Sequence, residues 1–180
     1  MEILSRRFAR SIGAIVLSAA FVVVAFSQAA DEYEVKAAFI YNFTKFVEWP
    51  SLSADIFSIC IVGDDPFGGT LDQLVKGKTA YNRPIQVRRL KEVGESRQCQ
   101  IVFVRQEEEV KGAKLVEVLR GMPVLTVSEG HKFGKIGGMI FLSMKEGHMN
   151  VGINSDAATS VGLKISAKLL TLAKSGSEGR

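Results

Sequence analysis

Short apolar runs and longer amphipathic stretches alternate along the chain. Phe57 to Val62, Ile85 to Leu90, Ile101 to Val104 and Pro123 to Val127 have the length of buried strands. Helical patterns separate them: Leu71 to Val75 falls within one helix, and Val110 to Arg120 predicts another, with Val110, Leu115, Val118 and Leu119 facing inward. After Ser128 the pattern changes. Met139 to Met144 and His148 to Ile153 read as two strands joined at Lys145-Glu146-Gly147, a hairpin. A last helix is predicted from Ser155 to Ala173, capped by Asn154 or Ser155, with Leu163, Leu169, Leu170 and Leu172 supplying core residues. Strand and helix in alternation predict an α/β fold: a single domain with a mostly parallel sheet flanked by helices, a Rossmann-like αβα sandwich, ending in a β-hairpin and a final helix.

Ahead of the first strand, Glu32 to Glu48 reads as one helix closed by Trp49-Pro50, because proline disfavours helical backbone in the residue before it. Val35, Phe39, Phe43 and Phe46 form one face, Ile40 and Val47 widen it, and Tyr41 stands nearly opposite Phe39. A helix with this many apolar positions is either buried on most sides or keeps an aromatic strip for a partner.

The N-terminus carries a basic flank at Arg6, Arg7 and Arg10, an apolar core from Ile12 to Phe26 and a small-x-small site at Ser27-Gln28-Ala29. That is the pattern of a secretory signal peptide over residues 1–29, cleaved after Ala29. The apolar core, about 15 residues, is shorter than the roughly 20 that span a bilayer, so no membrane insertion is expected after cleavage. The resulting division is a signal peptide, a domain over 30–174 and a frayed tail over 175–180. Charge changes with it. The full chain has 23 Lys and Arg against 19 Asp and Glu; taking away Arg6, Arg7, Arg10 and Glu2 leaves 20 against 18, a balance of +2. With no basic block there is nothing to neutralise a row of phosphates, which argues against nucleic-acid binding. Cys60 and Cys99 are the chain's two cysteines. In an oxidising compartment an even pair reads as a disulfide, and Cys60 inside the first strand and Cys99 just before the third fit strands that are neighbours in a doubly wound sheet.

Candidate chemistry is sparse. Gly63-Asp64-Asp65-Pro66-Phe67-Gly68-Gly69-Thr70 sits where phosphate loops sit, after a strand and before a helix, but lacks the P-loop lysine and the dinucleotide spacing, and its aspartates repel phosphate. It reads as a turn and cap. His131, in a loop, and His148, in a hairpin strand, have no second ligand at metal spacing. Glu107, Glu108 and Glu109 open a helix, where negative charge suits the macrodipole. No nucleophile elbow is present. The expectation is a chain without catalytic residues, metal or cofactor. Gly130, Gly134, Gly137 and Gly138 around Phe133 either frame a ligand pocket, with Phe133, Gly137 and Gly138 as its candidates, or turn the chain into the hairpin.

Taken together, several segments between Tyr33 and Ala173 resemble the YfiR-like family of periplasmic proteins. The opening helix Tyr33-Glu34-Val35-Lys36-Ala37-Ala38-Phe39-Ile40-Tyr41-Asn42-Phe43 runs into Lys45-Phe46-Val47-Glu48-Trp49-Pro50. Ile59-Cys60-Ile61-Val62-Gly63-Asp64-Asp65-Pro66-Phe67-Gly68 follows, then Cys99 with Ile101-Val102-Phe103-Val104. The match ends with Leu125-Thr126-Val127-Ser128, Phe133, Gly137-Gly138-Met139-Ile140, Ile153-Asn154, and Leu163-Lys164-Ile165-Ser166 leading to Leu169-Leu170. The resemblance implies a non-catalytic periplasmic regulator, a homodimer, that binds the periplasmic part of an inner-membrane diguanylate cyclase or sensor kinase. Against a cyclase it would lower cyclic di-GMP and restrain biofilm formation. Cys60 and Cys99 match a family disulfide tied to redox conditions, whereas a second cysteine pair near the final hairpin has no counterpart here. The aromatic excess of the opening helix nominates Tyr41, Phe46 and Trp49 as the partner contact. A periplasmic small-ligand sensor is the alternative.

Overall fold

The computed structural model describes residues 32–145 and 147–177, so the signal-peptide segment lies outside the described residues. Helix α1 spans residues 32–46, followed by β1 (Val47–Glu48), β2 (Phe57–Val62), α2 (Thr70–Val75), β3 (Thr79–Ala80), β4 (Arg83–Leu90), a 3-10 turn (Val93–Gln98) and β5 (Ile101–Val104). Then come α3 (Glu109–Val118), β6 (Leu125–Glu129), α4 (His131–Lys135), β7 (Ile140–Lys145), β8 (His148–Ile153), α5 (Ser155–Ser160), β9 (Lys164–Ile165) and α6 (Ala167–Ser177).

A seven-stranded sheet in the order β3-β4-β2-β5-β6-β7-β8 forms the centre. Its five inner strands, β4, β2, β5, β6 and β7, are parallel, and antiparallel β3 and β8 close the edges. β2 and β5 are apolar at nearly every position because both faces of a central parallel strand are covered. Phe57, Ile59, Ile61, Ile101, Phe103, Leu125 and Val127 line one face and pack with Ala37, Ile40 and Phe43 of α1, with α2 and with Leu163 and Leu169. Cys60, Val62, Val102 and Val104 line the other and pack with Leu115, Leu119, Val93 and Phe133. The result is the expected αβα arrangement.

The ends and faces of the helices depart from the sequence reading in several places. α1 stops at Phe46, and Val47–Glu48 pairs antiparallel with β9, a contact that takes those residues out of the helix. Its buried stripe is Lys36, Ala37, Ile40, Phe43 and Thr44, while Val35 is exposed and Phe39 and Phe46 are half-buried. The helix is rotated from its hydrophobic optimum because Lys36 finds a partner inside. In α3, Val110 faces solvent: Gly112, two residues on, is the position pressed against Phe133 and Val104, and Leu115 and Leu119 complete the buried side, with Val118 half-buried. The fourth strand runs Leu125–Glu129, two residues later than predicted. Its polar end is satisfied, Ser128 Oγ donating to Val104 O at 2.7 Å. The single final helix becomes α5, β9 and α6. Leu163 N donates to Ala158 O and Gly162 N to Thr159 O, the paired bonds of a Schellman stop, with Gly162 at φ +80°. α6 then runs through Ser177.

Candidate functional site

The strand order reverses between β2 and β5, and in a doubly wound sheet ligands bind beyond the strand ends at such a point. Here that crevice is occupied by the chain itself. Glu108 reaches the Gly63 backbone, takes a hydrogen bond from the Asp64 backbone and accepts from Lys111 Nζ at 2.9 Å. Lys111 in particular holds the Glu108 carboxyl below the usual range. The neighbouring loop is a clamped turn: Asp65 accepts from Phe67 N at 2.8 Å, and Arg89 joins Asp65, Asp72 and Gly68 O. Glu107, Glu108 and Glu109 each meet a different cation, Arg105, Lys111 and Lys132. They do not form a carboxylate pair.

At the start of α1 lies a network that the sequence reading missed. Lys36, 3% exposed, donates to Glu129 at the end of β6 and to Glu32 at 2.5 Å. Glu129 also accepts from Gln106 N at 3.2 Å. Burial pushes the Lys36 ammonium down, but its bonds to Glu129 and Glu32 outweigh that and hold it above the usual lysine range. Tyr33 lies 4.5 Å beneath the same ammonium, and its phenol is raised by burial and then by Glu129. A lysine beside the helix's apolar face was the available signal; its partner, 93 residues away, was not.

The other end of α1 gathers aromatic rings and lysines. The Tyr41 ring, half-buried, carries Lys45 Nζ at 4.4 Å and Lys78 Nζ at 4.3 Å from its centre. Phe46 carries Lys168 Nζ at 5.5 Å. Trp49 is buried rather than displayed, edge-on to Phe57 at 5.1 Å and to Tyr81 at 5.9 Å. Tyr81 and Asn82 both have positive φ in the β3–β4 hairpin, and Tyr81 Oη donates to Val47 O at 2.6 Å. Burial and then Glu48 raise the Tyr81 phenol. The Trp49 indole N–H is buried with no acceptor among the described residues, a condition that costs about 1–3 kcal/mol.

Of the residues nominated for a pocket, Phe133 is buried and its ring lies against Gly138, where any side chain would collide with it; Gly137 turns the chain at φ +99°. The groove beside them, about 570 Å³, is lined instead by His131, Gly134, Lys135, Phe141, Ile153, Asn154, Ser155 and Asp156. His131 belongs to α4 rather than to a loop, its ring 5.0 Å from Phe141, and His148 is exposed on β8. Among the described residues no cluster of three His, Cys, Asp or Glu could hold a metal, and no helix is long and apolar enough to cross a membrane.

Cys60 and Cys99 form a disulfide with 6.1 Å between α-carbons, both residues buried. The bridge ties β2 to the start of β5, as neighbouring strands allow.

None of the curated proteins compared with the chain matches it. A family model described as YfiR/HmsC-like matches residues 33–174, from the first turn of α1 into α6. The match takes in the opening helix, the bridged strands and the final hairpin. The chain belongs to the YfiR/HmsC-like family, which points to a periplasmic regulator of cyclic di-GMP signalling rather than to an enzyme.

Proposed function

We propose that the protein is exported through its N-terminal signal, acts as a homodimer, and binds and inhibits the periplasmic part of an inner-membrane signalling protein, a diguanylate cyclase. Inhibition lowers cyclic di-GMP and restrains biofilm formation. The observation that carries this reading is the family match across nearly all of the described domain. The signal-peptide pattern and the buried disulfide support it, since such bridges persist in oxidising compartments. Tyr41 and Phe46 offer the contact surface, while Trp49 is buried against Phe57 and Tyr81.

A pull-down from inner membranes with the purified, oxidised chain tests the proposal, repeated after reduction and with Cys60→Ser/Cys99→Ser. Capture of a cyclase, together with lower cyclic di-GMP when the pair is co-expressed, is the expected result. If a captured cyclase keeps full activity, inhibition is wrong. The groove beside α4 favours a second reading, a small-ligand sensor. A metabolite that raises the melting temperature in proportion to its concentration, with the rise lost in His131→Ala, would support that reading over the first.

A further inference from the structure

Two ammonium groups share one ring at the end of α1. Lys45 comes from the helix and Lys78 from the turn before β3, and each stands over Tyr41, at 4.4 and 4.3 Å from its centre. End to end, those distances put the two charges no further apart than about 8.7 Å. That is within the Debye length, about 10 Å at 0.1 M salt, so their fields add. Every ion pair among the described residues uses other cations, so neither lysine is paired with a carboxylate among those residues. Lys168 over Phe46 extends the same pattern. Three lysines gathered at the rings of one stretch of helix make a cationic platform, complementary in charge to an acidic segment.

Hairpin β3–β4 links this platform to Trp49. Lys78 immediately precedes β3, and Tyr81, in the turn after it, packs on Trp49. Among the described residues the buried Trp49 indole N–H has no acceptor.

We infer that the Tyr41, Lys45 and Lys78 platform docks an acidic peptide segment of the protein partner. The inference deepens the regulator proposal and rests on it. Because Trp49 is the chain's one tryptophan and packs on Tyr81 of the hairpin that follows Lys78, its emission reports on the platform through that hairpin.

The test titrates the oxidised mature chain with a short peptide of alternating Glu and Phe, and separately with its Lys and Phe counterpart, following Trp49 fluorescence. The Glu peptide is expected to give a saturable change that disappears near 1 M salt, where the Debye length is about 3 Å. Lys45→Glu/Lys78→Glu should weaken it by about tenfold or more, and Lys45→Gln/Lys78→Gln by several-fold with an unchanged melting curve. Lys114→Glu, on α3 across the sheet, should leave it unchanged. No saturation up to millimolar Glu peptide, an equal response to the Lys peptide, or equal weakening by Lys114→Glu overturns the inference. The membrane pull-down separates the two readings. Capture of the cyclase undiminished by Lys45→Glu/Lys78→Glu removes the platform but keeps the regulator; a wild-type chain that captures no signalling protein removes the regulator, whatever the peptide does.

Discussion

The two ends of α1 treat charge in opposite ways. At its start, Lys36 is sunk into the protein and held by Glu129 and Glu32, with Tyr33 against it. At its finish, Lys45, Lys78 and Lys168 lie over rings near the surface and, among the described residues, form no ion pair. A buried charge is tolerated only with a complete set of partners, so it dictates one position for the helix. A charge over an aromatic face stays partly hydrated and available to another molecule. One helix is thus anchored at one end and presented at the other.

The largest effect should come from removing the anchor. Lys36→Met leaves Glu129 buried without its cation and should cost about 3–5 kcal/mol in urea unfolding. Lys36→Met/Glu129→Leu should recover most of that loss; a single variant within about 1 kcal/mol of wild type would show that the anchor does not hold the helix. The pair also has a pH signature. Lys36 titrates above its free value of 10.5, so its contribution is complete below that pH and lost as pH rises through the folded value. The gap between wild type and Lys36→Met should therefore narrow above pH 10.5. Next in size, Cys60→Ser/Cys99→Ser opens a bridge across 39 residues and should cost about 2–4 kcal/mol. Because the bridge packs on the opposite face of the sheet from α1, its cost should add to that of Lys36→Met; strong coupling between them would mean that the anchor and the sheet are not separate devices. At the presented end, Tyr81→Phe loses the bond to Val47 O and should cost about 1 kcal/mol by thermal melting. Smallest of all, Lys45→Gln/Lys78→Gln should change stability by less than about 0.5 kcal/mol. A larger loss would make those lysines part of the fold and erase the contrast between the ends.

How much of this was legible depended on how local the cause was. β2 and β5 were read to the residue because an unbroken apolar run bounded by polar positions has one stable place, the middle of a parallel sheet. The hairpin and α3 followed from periodicity to within a residue or two. The final helix was misread because Gly162 looks like a tolerable interior glycine until the chain must turn to lay β9 beside β1. The face of α1 was misread because hydrophobicity alone points Lys36 outward, and only the topology brings Glu129 to it. At the candidate partner surface, Tyr41 and Phe46 were nominated from composition, but composition cannot show that Lys78 arrives from a different element. Trp49, nominated with them, lies buried edge-on to Phe57 and Tyr81, because strand β2 and the β3–β4 hairpin close over it. The glycines around Phe133 are explained by crowding: Gly134 and Gly152 make room for Phe141, and Gly138 for Phe133.

The distance in sequence between Lys36 and Glu129 also sets an order of events during synthesis. α1 is made before every strand of the sheet, yet the carboxylate that secures it is 93 residues downstream, and the strand that pairs with β1 comes later still. Contacts between such remote segments form slowly, because a long loop must close before they reward it. A nascent chain that ends short of β6 therefore carries α1 with Lys36 held by Glu32 alone, before Glu129 and the β9 strand are made. Of the described elements, the first to be made is among the last to be secured.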